Sequence, residues 1–200
     1  MPAELPTYKE IEALHGKYAP SDAVFNLIFT HCQIVWEVAE QLIAQSHPVV
    51  DIEFVKAGCL LHDIGAYQLF SSSGEVDHKS YIRHGVLGDK LLRREGFSEA
   101  LCRVASHHTG VGLSKRDIQE NNLPLPVGDY TAKSVEERLI MYADKFHTKS
   151  TPPTLMKIET YRAFTGKFDP ANEDQFMGFV QEFGEPSLAL LAKKYTLEIM

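Results

Sequence analysis

The chain has 200 residues, of which 44% are hydrophobic and 24% are charged, a composition typical of one globular domain. Its formal net charge of −7 argues against binding to nucleic-acid polymers or anionic membranes, because both require a basic surface. The N-terminus lacks the basic and apolar regions of a signal peptide, and no apolar run approaches the roughly 18–20 residues of a membrane span. We therefore expect a soluble, cytoplasmic protein.

The three cysteines, Cys32, Cys59 and Cys102, are far apart and odd in number. Because no two of them have the spacing of a zinc-ligand pair, they are expected to be reduced thiols in the core.

Apolar residues recur at helical spacing along most of the chain, without strand-like alternation or internal repeats. Capping residues mark several helix starts, among them Ser21, Asp51 and the Ser134–Glu137 capping box. The predicted helices span about 21–42, 51–63, 82–94, 98–108, 134–146, 154–164, 171–183 and 187–198. Residues 71–78 are a predicted loop, and 114–133 a polar insertion with one short helical stretch at 114–120. The predicted fold class is therefore all-α.

His62 and Asp63 are adjacent in the segment Leu60–Gly65, at the end of an apolar run, where Gly65 is expected to end the helix. A charged aspartate is rarely buried unless it is paired or bound to a metal. One nitrogen and one oxygen donor side by side suit a borderline divalent cation. Further candidate ligands lie on other predicted helices: His31, His84, His107, His108 and Asp144.

These candidates can be grouped into two metal sites that share Asp63. Consecutive side chains point about 100° apart on a helix, so Asp63 can reach a second ion and bridge the two. The first predicted site consists of His31, His62, Asp63 and Asp144. The second consists of Asp63, His84 and either His107 or His108, a choice that the sequence leaves open. Two ions roughly 3.5–4 Å apart suit phosphoester hydrolysis.

An isolated histidine is more often a packing or surface residue than a metal ligand. The remaining histidines are therefore expected in loops or on solvated faces: His15, His47, His78 and His147.

The ordered set of histidines and aspartates resembles the HD-domain superfamily of metal-dependent phosphohydrolases, and Leu60–Gly65 is similar to its His-Asp-Ile-Gly subgroup. The resemblance extends from about residue 24 to residue 148, and Leu123–Lys145 resembles a group of uncharacterised prokaryotic HD proteins. It implies a single HD domain over 1–200, an all-α helical bundle with a core at about 22–150 and a helical extension at 151–200. It also implies one or two divalent ions of iron, manganese, magnesium, nickel, cobalt or zinc. The implied ligands are those of the two sites above.

Two departures bear on the substrate. Cyclic-dinucleotide phosphodiesterases of this superfamily carry Gly-Tyr-Pro after their paired histidines, whereas this chain reads Gly110-Val-Gly-Leu, which disfavours that activity. Diadenosine tetraphosphate hydrolases are similar around His84 and His107–Gly110, but they usually lack an insertion like 114–133. That substrate is therefore one candidate among several.

We predict a metal-dependent phosphohydrolase that acts on a nucleotide or other small phosphorylated metabolite through a metal-activated hydroxide. Asp63 is the predicted bridging and catalytic residue, and Lys145 or Arg83 is expected to neutralise the charge of the transferred group. A mixed-valent di-iron oxygenase uses the same ligand set and is the alternative, and a non-enzymatic ligand sensor is a third interpretation. The aromatic-rich tail from residue 150 is expected to pack on the core or to form a homodimer surface.

Overall fold

The computed structural model describes residues 5–200, which form ten α-helices and one two-stranded sheet, so the predicted all-α class is confirmed. The helices are α1 (Tyr8–Tyr18), α2 (Asp22–Ser46), α3 (Ile52–Leu61), α4 (His84–Arg94), α5 (Glu99–His107), α6 (Lys115–Glu120), α7 (Val135–Ala143), α8 (Ile158–Thr165), α9 (Pro170–Phe183) and α10 (Leu188–Tyr195). Short 3₁₀ segments lie at Ile64–Leu69, Tyr81–Arg83 and Asp144–Phe146. The strands are β1 (Thr154–Leu155) and β2 (Glu198–Ile199), which pair in parallel.

Helices α2, α3 and α7 begin after the capping residues that the sequence predicts. The side chains of Ser21 and Asp51 accept hydrogen bonds from backbone N–H groups in the first turns of α2 and α3. Ser134 likewise accepts from the Glu137 N–H, but the Glu137 carboxylate accepts from the Lys133 N–H at 2.6 Å. Only half of the predicted capping box forms, because the Glu137 carboxylate is turned towards residues outside α7.

Helix α1 and the small sheet were not predicted. Thr7 and Glu10 form a complete capping box at the start of α1, which buries Ile11 and Leu14. The predicted helix at about 154 begins later, at Ile158, because residues 154 and 155 are in β1. Two-residue strands are too short to show an alternating pattern, and their pairing joins segments far apart in the chain.

Helix α2 lies between the two parts of the hydrophobic core. Its residues Ile34 and Val35 pack with α7 and the C-terminal helices, whereas Ile28 and Cys32 pack with α1, α3, α4 and α5. His31 lies between these two groups of residues, which explains its complete burial.

The aromatic tail packs on the core through α9. Phe176, Phe179 and Phe183 surround the buried ring of Tyr142, with ring centroids 5.7–6.1 Å away. The three cysteines are free and buried, as expected. Among the helices of residues 5–200, none is both long enough and apolar enough to cross a membrane.

Candidate metal centre

Six of the candidate ligands converge from the ends or middle of five helices. His31 lies in the middle of α2, and the other residues lie at or next to helix ends: His62 and Asp63 after α3, His84 at the start of α4, His108 after α5 and Asp144 after α7. Five of the six side chains are buried, and that of Asp144 is 13% exposed. Helix α3 ends two residues earlier than predicted, at Leu61, so that His62 and Asp63 lie just beyond the helix, where the other ligands meet.

The first group of donors consists of His31, His62 and Asp144. The Nε2 atom of His31 lies 3.0 Å from Asp144 Oδ1 and 3.1 Å from His62 Nε2, and His62 Nε2 lies 3.4 Å from Asp144 Oδ1. Two ligands about 2.1 Å from one ion at 90–110° are themselves about 3.0–3.4 Å apart. These three atoms therefore have the spacing of ligands that share one cation.

The second group consists of His84, His108 and Asp63. The Nε2 atoms of the two histidines are 2.9 Å apart, and they lie 3.5 and 3.6 Å from Asp63 Oδ1. The other oxygen, Asp63 Oδ2, lies 3.5 Å from His31 Nε2. The carboxylate of Asp63 thus directs one oxygen towards each group of donors, as the prediction of a bridging residue requires.

Hydrogen bonds at the outer edge of the imidazoles fix which nitrogen carries the proton. In three of the histidines, Nδ1 lies within hydrogen-bonding distance of a backbone carbonyl. The distances are 2.7 Å from His62 to Cys59, 2.7 Å from His84 to Tyr81 and 2.8 Å from His108 to Ala105. A carbonyl can only accept, so each Nδ1 is the donor and each Nε2 presents a lone pair to the cluster.

The Asp63 carboxylate supports the same conclusion. Neither of its buried oxygens accepts a hydrogen bond of normal geometry from residues 5–200. Asp63 Oδ2 pairs with the Lys149 ammonium at 2.5 Å, whereas Oδ1 faces only imidazole nitrogens among the described residues, which is unfavourable without a further cation. Mixed nitrogen and oxygen donors suit a transition-metal ion. The residues present therefore fit a metal centre.

Burial affects the histidines of the cluster unequally. It lowers the pKa of His84 to about 4 and also lowers the pKa of His31 and His108, so these imidazoles are neutral at pH 7. Burial acts on His62 in the same direction, but Cys32 and the neighbouring carboxylates together raise its pKa above the ordinary value. A positive charge is therefore favoured beside His62, and a metal ion can supply it in place of a proton.

Both carboxylates of the cluster are ionised despite their burial. Burial acts to raise the pKa of Asp63, but Lys149 and the imidazoles hold it well below its usual range. The pKa of Asp144 is held down in the same way, chiefly by Lys145. The ionised carboxylates and the neutral imidazoles of His31, His84 and His108 are in the protonation state that binds a metal, and a metal ion would replace the proton that the raised pKa of His62 favours.

Two lysines adjoin the cluster, and only one of them was predicted. Lys145 is buried and donates hydrogen bonds to Asp144 Oδ2 at 2.6 Å and to the His108 carbonyl at 3.0 Å. Lys149, for which no sequence pattern indicated a role, places its Nζ 2.5 Å from Asp63 Oδ2 and 3.1 Å from His31 Nε2. It follows the last helical pattern of the core in a polar stretch, Thr148–Thr151, which is typical of a surface loop.

Two predicted site residues lie outside the cluster. His107 turns its imidazole towards Arg103 and Ser106, with Nε2 3.0 Å from the Arg103 guanidinium, so His108 is the histidine that faces Asp63. Adjacent residues at a helix end point in different directions, and only one can face the core. Arg83 precedes His84 but its side chain is exposed, and none of the ion pairs or side-chain hydrogen bonds of residues 5–200 involves it.

The prediction for the other histidines is correct for two and wrong for two. His47 and His78 are exposed. His15 is instead buried in α1, between the Tyr67 hydroxyl and the Leu60 carbonyl, because the unpredicted α1 packs on α3. His147 is buried beside His31.

Gly65 was expected to end α3 but has another role. It lies in the 3₁₀ segment beyond Asp63, where a Cβ atom would lie 2.1 Å from both the His84 carbonyl oxygen and the Gly88 nitrogen. A glycine is therefore required by the close approach of α4, and this contact sets the distance between Asp63 and His84.

A family model described as "HD domain" matches residues 28–149. The chain belongs to the HD-domain family. The matched residues include all six members of the cluster and end at Lys149, which confirms the resemblance that the sequence motifs indicated.

Several curated proteins are similar to this HD-domain protein. An uncharacterised protein of Methanocaldococcus jannaschii is 37% identical over 127 residues, which are 61% of this chain and 68% of that protein. Proteins named tRNA (cytidine(56)-2'-O)-methyltransferase, from Picrophilus torridus and Thermoplasma volcanium, are 32% identical over 124 and 128 residues. Those matches cover 62% and 64% of this chain but only 32% of each methyltransferase.

The HD-domain fold is also found by comparison with solved structures. The HD domain of the L. monocytogenes phosphodiesterase PgpH has a TM-score of 0.52 and 16% identity, over 86% of this chain and 87% of that one. A second structure of that domain, in complex with cyclic-di-AMP, also has a TM-score of 0.52 and covers 90% of this chain and 89% of that one. At this level of identity the likeness shows the fold alone.

Proposed function

We propose that this HD-domain protein is a metal-dependent phosphohydrolase that acts on a nucleotide or another small phosphorylated metabolite. The observation that supports it best is the position of the Asp63 carboxylate, between His31 on one side and the pair His84 and His108 on the other. In this proposal His31, His62, Asp63 and Asp144 hold one divalent ion, and Asp63, His84 and His108 hold another.

Divalent ions at such a site supply an activated water near neutral pH and stabilise negative charge on a phosphoryl group. The residues of the chain provide the remaining functions. Asp63 orients both groups of donors, because its two oxygens face different imidazoles. The backbone carbonyls of Cys59, Tyr81 and Ala105 keep three imidazoles in the tautomer that leaves Nε2 free.

The two lysines beside the cluster, Lys145 and Lys149, favour an anionic substrate. We assign the charge-neutralising role to Lys149 in place of Arg83, because its ammonium group lies within the cluster and its side chain is 17% exposed. Lys145, the lysine that the sequence analysis selected, is more deeply buried and already bound to Asp144 and to the His108 carbonyl. We therefore propose that Lys145 positions those two ligands and that Lys149 contacts the phosphoryl group.

The sequence bears on whether cyclic dinucleotides are substrates. The stretch Gly110–Leu113 differs from the Gly-Tyr-Pro of cyclic-dinucleotide phosphodiesterases, so we favour other small phosphorylated compounds. Cyclic-di-AMP, which the PgpH domain binds in one of its structures, is the natural comparison substrate.

The test is a substrate screen on protein of known metal content. The protein is stripped with chelator and reloaded with single divalent ions. Hydrolysis is then followed as release of inorganic phosphate from nucleotides and sugar phosphates, and as release of nucleotide products from diadenosine tetraphosphate and cyclic-di-AMP. We expect activity that chelator abolishes and that a transition-metal ion restores. Phosphate release that resists the chelator would contradict the proposal. Absence of release from every compound, together with iron-dependent oxygen consumption, would favour the di-iron oxygenase.

A further inference from the structure

We propose that His147 is a positioning residue that holds His31 in the tautomer needed for metal binding. The two Nδ1 atoms are 2.9 Å apart, and both side chains are buried. The rings are stacked, with an interplanar angle of 27° and centroids 5.2 Å apart. This inference rests on the proposed role of His31 as a metal ligand.

His31 differs from the other imidazoles of the cluster in its position on a helix. His62, His84 and His108 lie at or next to helix ends, and each has its Nδ1 beside the carbonyl three residues earlier. The Cys59 and Ala105 carbonyls lie in the last turns of α3 and α5, where the backbone ladder stops, and the Tyr81 carbonyl lies in the 3₁₀ segment before α4. In the middle of α2 the corresponding carbonyls are engaged in the helix, so His31 requires an acceptor from elsewhere in the fold.

The proton positions follow from this geometry. If the Nε2 lone pair of His31 faces the cluster, its proton is on Nδ1, which must donate to Nδ1 of His147. His147 therefore accepts through Nδ1 and carries its own proton on Nε2. That nitrogen is buried without a hydrogen-bond partner among residues 5–200, so within that range the contact with His31 is the one hydrogen bond of the His147 ring.

The small sheet fixes His147 in place. His147 forms a bridge with Leu155 of β1, and hydrogen bonds join Met156 N to the Phe146 carbonyl and Thr148 N to the Thr154 carbonyl. Strand β1 is in turn paired with β2 at residues 198–199. The C-terminal segment, which lies outside the family match, thus supports the partner of a candidate metal ligand.

The test compares two variants of nearly equal shape. In His147→Asn the amide oxygen can occupy the position of Nδ1 and accept the proton of His31, whereas His147→Leu offers no acceptor. The metal-free proteins are titrated with Mn²⁺ by calorimetry and with Co²⁺, whose visible absorption reports its ligands. We expect the Leu variant to bind about 10–100-fold more weakly at one site, and the Asn variant to bind within about 3-fold of wild type. Thermal unfolding without metal shows whether each variant folds.

A second measurement requires no variant. Long-range ¹H–¹⁵N spectra of the Zn²⁺-loaded wild-type protein distinguish the two imidazole tautomers, and we expect the proton of His147 on Nε2. The opposite tautomer overturns the inference, as does wild-type affinity in His147→Leu. Equal weakening in the Asn and Leu variants also overturns it, because packing alone then explains the effect. If the wild-type protein binds neither Mn²⁺ nor Co²⁺, the proposed metal centre itself is wrong, so the two failures are distinguishable.

Discussion

The Nε2 atoms of His84 and His108 face each other at 2.9 Å, although each ring places its proton on Nδ1 to donate to a carbonyl. Two lone pairs at this distance repel each other unless a cation lies beside them. The adjacent Asp63 Oδ1 supplies the negative charge that such a cation requires. This arrangement is the reason for proposing a second ion, and it leads directly to a matched pair of variants.

His108→Ala should lower the metal content from about two ions to about one per chain, because it removes a donor of the second group. His107→Ala is the control. The His107 imidazole faces Arg103 rather than the cluster, so its removal should leave both ions in place. Elemental analysis of the purified proteins measures the ratio. Loss of an ion from His107→Ala but not from His108→Ala would reverse our assignment.

Asp63→Asn should abolish binding of both ions, because the bridging carboxylate loses its charge while keeping its shape. Phosphate release should fall on the order of 10³-fold, with the helical signal in circular dichroism unchanged. Asp89→Asn is the control, because Asp89 pairs with Arg93 and Ser106 outside the cluster. Full metal occupancy in Asp63→Asn would rule out the bridging role.

Lys149→Met should lower kcat about 10–100-fold while metal is retained, if its charge acts mainly on the transferred phosphoryl group. The exposed Lys157 lies outside the cluster, so Lys157→Met should behave as wild type. Steady-state kinetics on the substrate found by the screen separate kcat from KM. An effect on KM alone would mean that Lys149 contributes equally to the ground state and the transition state.

Gly65→Ala should destabilise the protein by at least about 2 kcal/mol, because the new methyl group would overlap the backbone of α4. For a chain of this length that corresponds to a melting temperature roughly 4–8 °C lower. Gly16 is at an exposed position of α1 where nothing lies within 4 Å of an added Cβ, so Gly16→Ala should be neutral or more stable by up to about 1 kcal/mol. Equal melting temperatures for the two variants would exclude the close-approach explanation.

The metal-free protein should lose stability in mild acid through His15. Burial lowers its pKa from 6.5 to about 4, so between these values the unfolded chain binds a proton that the folded chain excludes. Stability is therefore present above about pH 6.5 and falls as the pH approaches 4, by roughly 2 kcal/mol between pH 7 and pH 5 for this residue. Urea unfolding at both pH values measures the fall, which should be smaller by that amount in His15→Gln. An identical fall in the variant would show that other groups are responsible.

The local sequence predicted most of the helices because caps and apolar periodicity are properties of neighbouring residues. It did not predict the choice between His107 and His108, since the two are adjacent at the end of α5 and only the position of α4 selects one. His147 and Lys149 follow the last helix of the core without any periodic pattern. Their roles depend on β1, which is paired with a strand 44 residues later in the chain.

The sequence by itself determined the all-α class, through its helical periodicity. Its ordered motif of histidines and aspartates determined the membership in the HD-domain family and, without alternatives, five of the six residues of the cluster. Only the tertiary structure decided that His108 faces Asp63, that Arg83 is at the surface and that Lys149 and His147 adjoin the cluster. The physical reason is that helical periodicity fixes which side of a helix a residue occupies. Which side chains meet between helices depends on how the helix ends are packed and on long-range pairing.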